Sequence, residues 1–202
     1  MNLQDFKNQY CATTPNMPFL PPKIQGWGSE SIALRQVIEE TNPESIIEVG
    51  SWFGASAIFM ASLSQAPILC IDTFLGSNEV LWREKQTEKI IYSFNDLYDQ
   101  FCANITHKNL NNQISPLPMT SSSAAELLST LNVTADLIYI DAGHRYREVY
   151  ADLEDYWPLT NKVLVGDDYC SEWPGVAQAA NDFANENNLN VKLLDSKFLL
   201  FR

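Results

Sequence analysis

The 202-residue sequence predicts an open α/β sheet of seven strands, mostly parallel, with helices on both faces and a C-terminal antiparallel β-hairpin. Three observations predict it. Short apolar runs alternate with amphipathic segments along most of the chain. Two of those runs, Leu137-Ile138-Tyr139-Ile140-Asp141 and Val163-Leu164-Val165-Gly166-Asp167-Asp168, end in carboxylates. Buried parallel strands deliver side chains in this way to the carboxyl edge, where open sheets bind their ligands. Near the C-terminus, Val191–Leu194 and Phe198–Phe201 are separated only by Asp195, Ser196 and Lys197. That gap is too short for a crossover helix, so the two strands pair as a hairpin.

Residues 1–25 contain Pro15, Pro18, Pro21 and Pro22 and are expected to form an irregular arm ahead of a single domain over 26–202. Ser29 or Ser31 can cap a helix running to about Glu40, with Ile32, Leu34, Val37 and Ile38 as its apolar positions and Pro43 beyond its end. Ser45–Val49 is the first strand, and Ala55–Ser64, apolar on most sides, a helix against the sheet. Pro67–Ile71 is the second strand and ends at Asp72. From Ser77 to about Ala103, Trp82, Tyr92, Phe94, Tyr98 and Phe101 fall at roughly helical spacing, and Phe74–Trp82 is placed to overhang a ligand. The remaining order is a strand over Gln113–Leu117, a helix over Ser122–Leu131, a strand over Asp136–Ile140 and a helix over Tyr146–Trp157. A strand over Lys162–Val165 and a helix from Gly175 to about Glu186 then lead into the hairpin.

The net charge of −12 argues against nucleic acid, whose phosphates would be repelled. No apolar run is long enough to span a bilayer, and Met1–Phe6 lacks the basic and apolar regions of a signal peptide. Cys11, Cys70, Cys102 and Cys170 show neither a CxxC nor regular spacing, which predicts free thiols in a reducing cytoplasm. These features leave open whether the chain is a homo-oligomer.

Three carboxylates at one edge repel each other unless a cation or a donor lies between them, which makes Asp141, Asp167 and Asp168 a candidate metal site. Strand one runs into Glu48-Val49-Gly50-Ser51-Trp52-Phe53-Gly54, whose glycines allow a sharp turn before the helix. The spacing is not GxGxxG. Trp52 stands where a dinucleotide fold needs room for a pyrophosphate, so a ligand without phosphates suits the loop better. Asp72 lies about 20 residues beyond the Gly loop, where an acid can accept hydrogen bonds from ribose hydroxyls. Loop and acid together predict a ribose-bearing ligand.

With Glu48-x-Gly50-Ser51-x-x-Gly54, Asp72, Ile140-Asp141-Ala142-Gly143-His144 and Gly166-Asp167-Asp168-Tyr169, the chain resembles the class I S-adenosylmethionine (SAM)-dependent methyltransferases. More narrowly, it is similar to their metal-dependent branch of small-molecule and sugar O-methyltransferases, over about Gly26 to the C-terminus. The resemblance implies a Rossmann-like fold closed by an antiparallel seventh strand. It implies that Glu48, Gly50, Ser51 and Gly54 line the methionine and ribose end of the cofactor, and that Asp72 holds the ribose hydroxyls. Ser121 or Ser122 would lie beside the adenine, although Thr120 stands where the family often carries an acid. Asp141, Asp167 and Asp168 would bind a divalent cation, and oxygen ligands of this kind favour Mg²⁺.

The acceptor implied is a hydroxyl of a small molecule, a sugar or a catechol-like ring. Its proton must be removed, and His144, three residues past Asp141, titrates near neutrality and is a candidate base beside Asp141 itself. Tyr169 and Trp173 are placed to wall the acceptor pocket. Two alternatives remain: an NAD-binding oxidoreductase, and a non-catalytic binding protein on the same fold.

Overall fold

The computed structural model describes residues 1–11, 20–26, 28–76 and 97–202. Its sheet has seven strands: β1 (Ile46–Val49), β2 (Ile68–Asp72), β3 (Ile114–Pro118), β4 (Ala135–Ile140), β5 (Thr160–Gly166), β6 (Lys192–Leu194) and β7 (Lys197–Phe201). The spatial order is β3-β2-β1-β4-β5-β7-β6. The first five strands are mutually parallel, β7 runs antiparallel to β5, and β6 pairs with β7 as the predicted hairpin.

Alternation along the strands sorts the helices into two layers. Ile47, Val49, Leu69, Ile71, Ile138, Ile140, Leu164 and Leu200 pack with α1 (Leu3–Tyr10), α5 (Ser121–Thr130), α6 (Tyr146–Tyr156) and α7 (Pro174–Glu186). Ile46, Ile68, Leu137, Tyr139, Val163, Val165 and Leu199 face the opposite layer, formed by α2 (Ile32–Thr41), α3 (Ala55–Leu63) and α4 (Leu97–His107). Helix starts follow local chemistry. Ser31 caps α2 by accepting from Leu34 N at 3.0 Å, and Thr120 caps α5 by accepting from Ser123 N.

The N-terminal segment departs from the expected irregular arm. Leu3–Tyr10 is helical, capped by Asn2, and seats Leu3 and Phe6 in the core. The prolines that suggested irregularity all follow this helix. Residues 20–26 are tied down by the buried Asn104, whose side chain bonds Lys23 N and O and Phe53 O at 2.7–2.9 Å. His107 on α4 meets Leu20 O at 2.7 Å. Of the expected aromatic helix, Tyr98 and Phe101 lie on α4, and both pack against Phe74. Trp82, Tyr92 and Phe94 lie outside the described residues.

No helix among the described residues is long and apolar enough to cross a membrane. The four cysteines form no disulfide. Because Phe6 is fully buried beneath the sheet, Phe6→Ala should destabilise the protein by about 3–5 kcal/mol, read by urea denaturation. A midpoint equal to that of the parent would show that α1 is not part of the folded core.

Candidate active site

The β1–α3 turn begins at Gly50, with φ +88, where a Cβ would lie 2.0 Å from the Asp141 carbonyl oxygen. Only glycine permits this close approach of the β1 and β4 ends. Trp52 and Phe74 also adopt left-handed conformations, at φ 47 and φ 54. One carboxylate holds both turns. Asp72 Oδ2 accepts from Ser51 N and Trp52 N at 2.9 Å each, and Oδ1 accepts from Phe74 N at 2.7 Å. Three of its roughly four lone-pair positions are therefore filled by the backbone. Asp72 thus shapes the loop as well as standing where a ribose ligand was expected.

Glu48 sits fully buried beneath the loop. It accepts from Ser56 Oγ and, at 3.4 Å, from Cys70 Sγ. Burial pushes its carboxyl up, against the pull of these hydrogen bonds. Its place is that of a support for the turn. The buried Ser51 hydroxyl meets no partner at hydrogen-bonding geometry, and Gly54 opens α3 with φ +79.

At the other end of the edge, continuing the β5–β7 register sets Asp167 opposite Lys197. Lys197, 1 % exposed, forms an ion pair with Asp167 Oδ2, and Tyr139 OH donates to the same oxygen at 2.6 Å. Asp167 Oδ1 accepts from Asp168 N at 2.7 Å and Ser196 Oγ at 3.3 Å. Four donors fill this carboxylate, and Asp167 lines the same small pocket as Asp141, His144 and Asp168. Asp141, His144 and Asp168 each present a ligand atom within 4.8 Å of the others. His144 Nε2 lies 2.7 Å from Asp168 Oδ2, and its ring stacks on Trp173 at 4.3 Å.

Asp168 adopts φ 60, a left-handed conformation that directs its carboxylate to His144. Asp141 has Tyr139 OH at 3.5 Å. Burial, then the charges of Asp167 and Asp168, push its carboxyl well above the usual range, with Lys197 as the opposing cation. Asp141, Gly143, His144, Asp168, Val176 and Phe198 line a small pocket at this edge. Tyr169 packs against Phe198, which lines this pocket, and accepts from Asn181 Nδ2 at 2.9 Å.

Ser121 lies three residues past Pro118, the β3 neighbour of Asp72. Its hydroxyl donates to Asp152 Oδ1 on α6, and its carbonyl accepts from Tyr156 OH at 2.9 Å. Ser122 is exposed. Asp152 is 7 % exposed, and burial pushes its carboxyl up to about 6. Sequence reasoning missed both Lys197 and Asp152. Lys197 lay in the linker assigned to the hairpin, and Asp152 inside an amphipathic helix.

A family profile described as a methyltransferase domain matches residues 47–169, and the chain belongs to that methyltransferase family. No curated protein matches it in sequence. Among solved structures it is similar to the O-methyltransferase from Bacillus cereus in complex with SAH, with TM-score 0.64 and 16 % identity, covering 90 % of this chain and 84 % of that one. It is also similar to TomG from Streptomyces achromogenes, an O-methyltransferase involved in tomaymycin synthesis and solved with SAM: TM-score 0.56, 12 % identity, 98 % and 93 % covered. The O-methyltransferase NovP gives TM-score 0.58 at 16 % identity, with 84 % and 77 % covered. At these identities the likeness establishes the fold, a Rossmann-like methyltransferase sheet.

Two predictions follow from the electrostatics. Lys197→Met strands a buried carboxylate and should cost about 3–5 kcal/mol. Adding Asp167→Asn should recover most of that loss in a chemical-denaturation double-mutant cycle, and strict additivity would refute the pairing. For Asp152, the folded state keeps its proton up to about pH 6, whereas the unfolded chain loses it near pH 4. Stability therefore falls as pH rises through that window. Relative to its effect at pH 4, Asp152→Asn should stabilise the protein by about 2–3 kcal/mol at pH 8. Parallel stability–pH curves for the two proteins would contradict this.

Proposed function

We propose that the protein is a SAM-dependent O-methyltransferase acting on a hydroxyl of a small molecule, with a divalent cation at Asp141, His144 and Asp168. The observation that carries the reading is the division of one sheet edge into two halves. Gly50, Ser51 and Asp72 form a turn for a ribose-bearing ligand, and Asp141, His144 and Asp168 form an N/O donor set beside it. The methyltransferase family and the fold shared with O-methyltransferases solved with SAH and SAM support it.

The residues present fit both groups. The remaining lone pair of Asp72 suits a polar ligand over the turn. At the other half, Asp141 is crowded by like charge while the saturated Asp167 is neutralised internally. Two carboxylates then remain, the charge that one divalent cation balances. Oxygen donors suit the Mg²⁺ expected from sequence, and an imidazole donor shifts preference toward transition-metal ions.

SAM supplies a methyl group already activated on a sulfonium. A divalent cation supplies acidification of a hydroxyl oxygen near it. What the chain must add is alignment and removal of one proton. SAM held by Gly50, Ser51 and Asp72 would supply its methyl group to the acceptor oxygen and leave as S-adenosylhomocysteine. The hydroxyl proton goes to a base at the carboxylate end. His144, whose ring Asp168 and Trp173 fix, would give its nitrogen lone pair to the cation. Asp141, whose carboxyl burial and like charge push well above the usual range, is then the candidate base, through the oxygen not given to the cation.

The dinucleotide alternative is not favoured, because Trp52 occupies the turn where a pyrophosphate would lie and is held there by Asp72. Calorimetry should show micromolar binding of S-adenosylhomocysteine, the demethylated product, and absence of binding would sink the reading. Asp168→Ala should lower turnover by roughly two orders of magnitude on whichever sugar or catechol a hydroxyl-acceptor panel identifies, with product affinity largely intact. Undiminished activity in excess EDTA would remove the cation from the mechanism.

A further inference from the structure

The acid missing before Ser121 has a counterpart on another helix. Thr120 caps α5, so capping does not require the Ser121 hydroxyl. That hydroxyl instead donates to Asp152, a carboxylate 7 % exposed, while Tyr156 OH holds the Ser121 carbonyl at 2.9 Å. An asparagine could make the same contact without placing a charge there. A buried carboxylate is destabilising at neutral pH, and helix packing does not require it.

The charge sets a polarity. An ionised carboxylate only accepts hydrogen bonds. Burial pushes Asp152 up to about 6, which leaves it ionised at neutral pH. The single Ser121 proton is then committed to Asp152, and the oxygen offers only lone pairs elsewhere. Ser121 is half-buried, at the carboxyl edge one strand beyond Asp72. A ligand with its ribose at Asp72 and its sulfur end toward Gly50 carries its base toward β3.

We infer that Asp152 is a positioning residue for the base of the cofactor. It fixes Ser121 as an obligate hydrogen-bond acceptor, so that the site takes a 6-aminopurine and rejects a 6-oxopurine. The inference rests on the proposed use of SAM. The amino group of adenine donates to the Ser121 oxygen, whereas the 6-oxo group of hypoxanthine meets it lone pair to lone pair. Leaving both unpaired corresponds to about a tenfold or greater loss in affinity. An amide at position 152 can donate as well as accept, which frees the serine proton to turn toward the ligand.

The test compares calorimetric affinities for S-adenosylhomocysteine and its hypoxanthine analogue, S-inosylhomocysteine, in the parent protein, Asp152→Asn and Ser121→Ala. The parent should prefer the adenine ligand by about tenfold or more, and both variants should reduce that preference to about threefold or less. A purely structural role would weaken both ligands equally and leave the ratio unchanged. Equal affinities in the parent, or an unchanged ratio in either variant, overturn the inference while leaving SAM use intact. If the parent binds neither ligand, the functional reading fails and the inference fails with it.

Discussion

The buried ion pair between Asp167 and Lys197 is the contact on which the carboxylate edge depends. The β-strand ends bring Glu48, Asp72, Asp141, Asp167 and Asp168 to one side of the sheet, and a folded protein cannot keep so many like charges together unopposed. Each acid is answered differently. Glu48 lies under the turn against Ser56 and Cys70, and Asp72 is capped by three backbone N–H groups. Asp167 takes Lys197, Tyr139, Ser196 and the Asp168 N–H, and Asp168 faces His144. Asp141 is left with a distant tyrosine hydroxyl and a carboxyl that resists ionisation. The edge is thus balanced everywhere except at the pocket.

Backbone strain follows the same map. Trp52, Phe74 and Asp168 are all left-handed, a conformation costing roughly 1–2 kcal/mol for a residue with a side chain. None stands alone. Asp72 binds the N–H groups of Trp52 and Phe74, and Asp167 binds that of Asp168. Two carboxylates expected as ligand contacts therefore also hold the turns that shape the site.

Much of the frame was legible in the sequence because apolar runs with acids at their ends leave few other readings. The strand sequence, the hairpin and the Gly50 turn all follow from period, spacing and glycine. What escaped was long-range. Lys197 looked like a linker residue until β7 was placed beside β5, which sets 197 against 167. Asp152 lay within a helix that the sequence predicts, and only the packing of α6 beside the start of α5 brings it to Ser121. The N-terminal helix was hidden by prolines that lie beyond it, although Leu3 and Phe6 carry its apolar face. Local pattern predicts elements; partner choice across the sheet decides which charges meet.

The sheet order carries the last step. Along the edge, β3, β2 and β1 present Ser121, Asp72 and Gly50, and β4 and β5 then present Asp141 and Asp168. The chain reverses its winding between β1 and β4, the place where open α/β sheets form their crevice. There the two halves touch through backbone, since a Cβ on Gly50 would strike the Asp141 carbonyl. A donor laid over β3 to β1 would end where the acceptor site begins, and their separation would be set by adjacent strands. Alignment of this kind needs no loop movement to create it. Under the proposed function, acceptor choice would come from what surrounds the crevice, where His144 stacks on Trp173, while the sheet would hold the distance between the two halves constant.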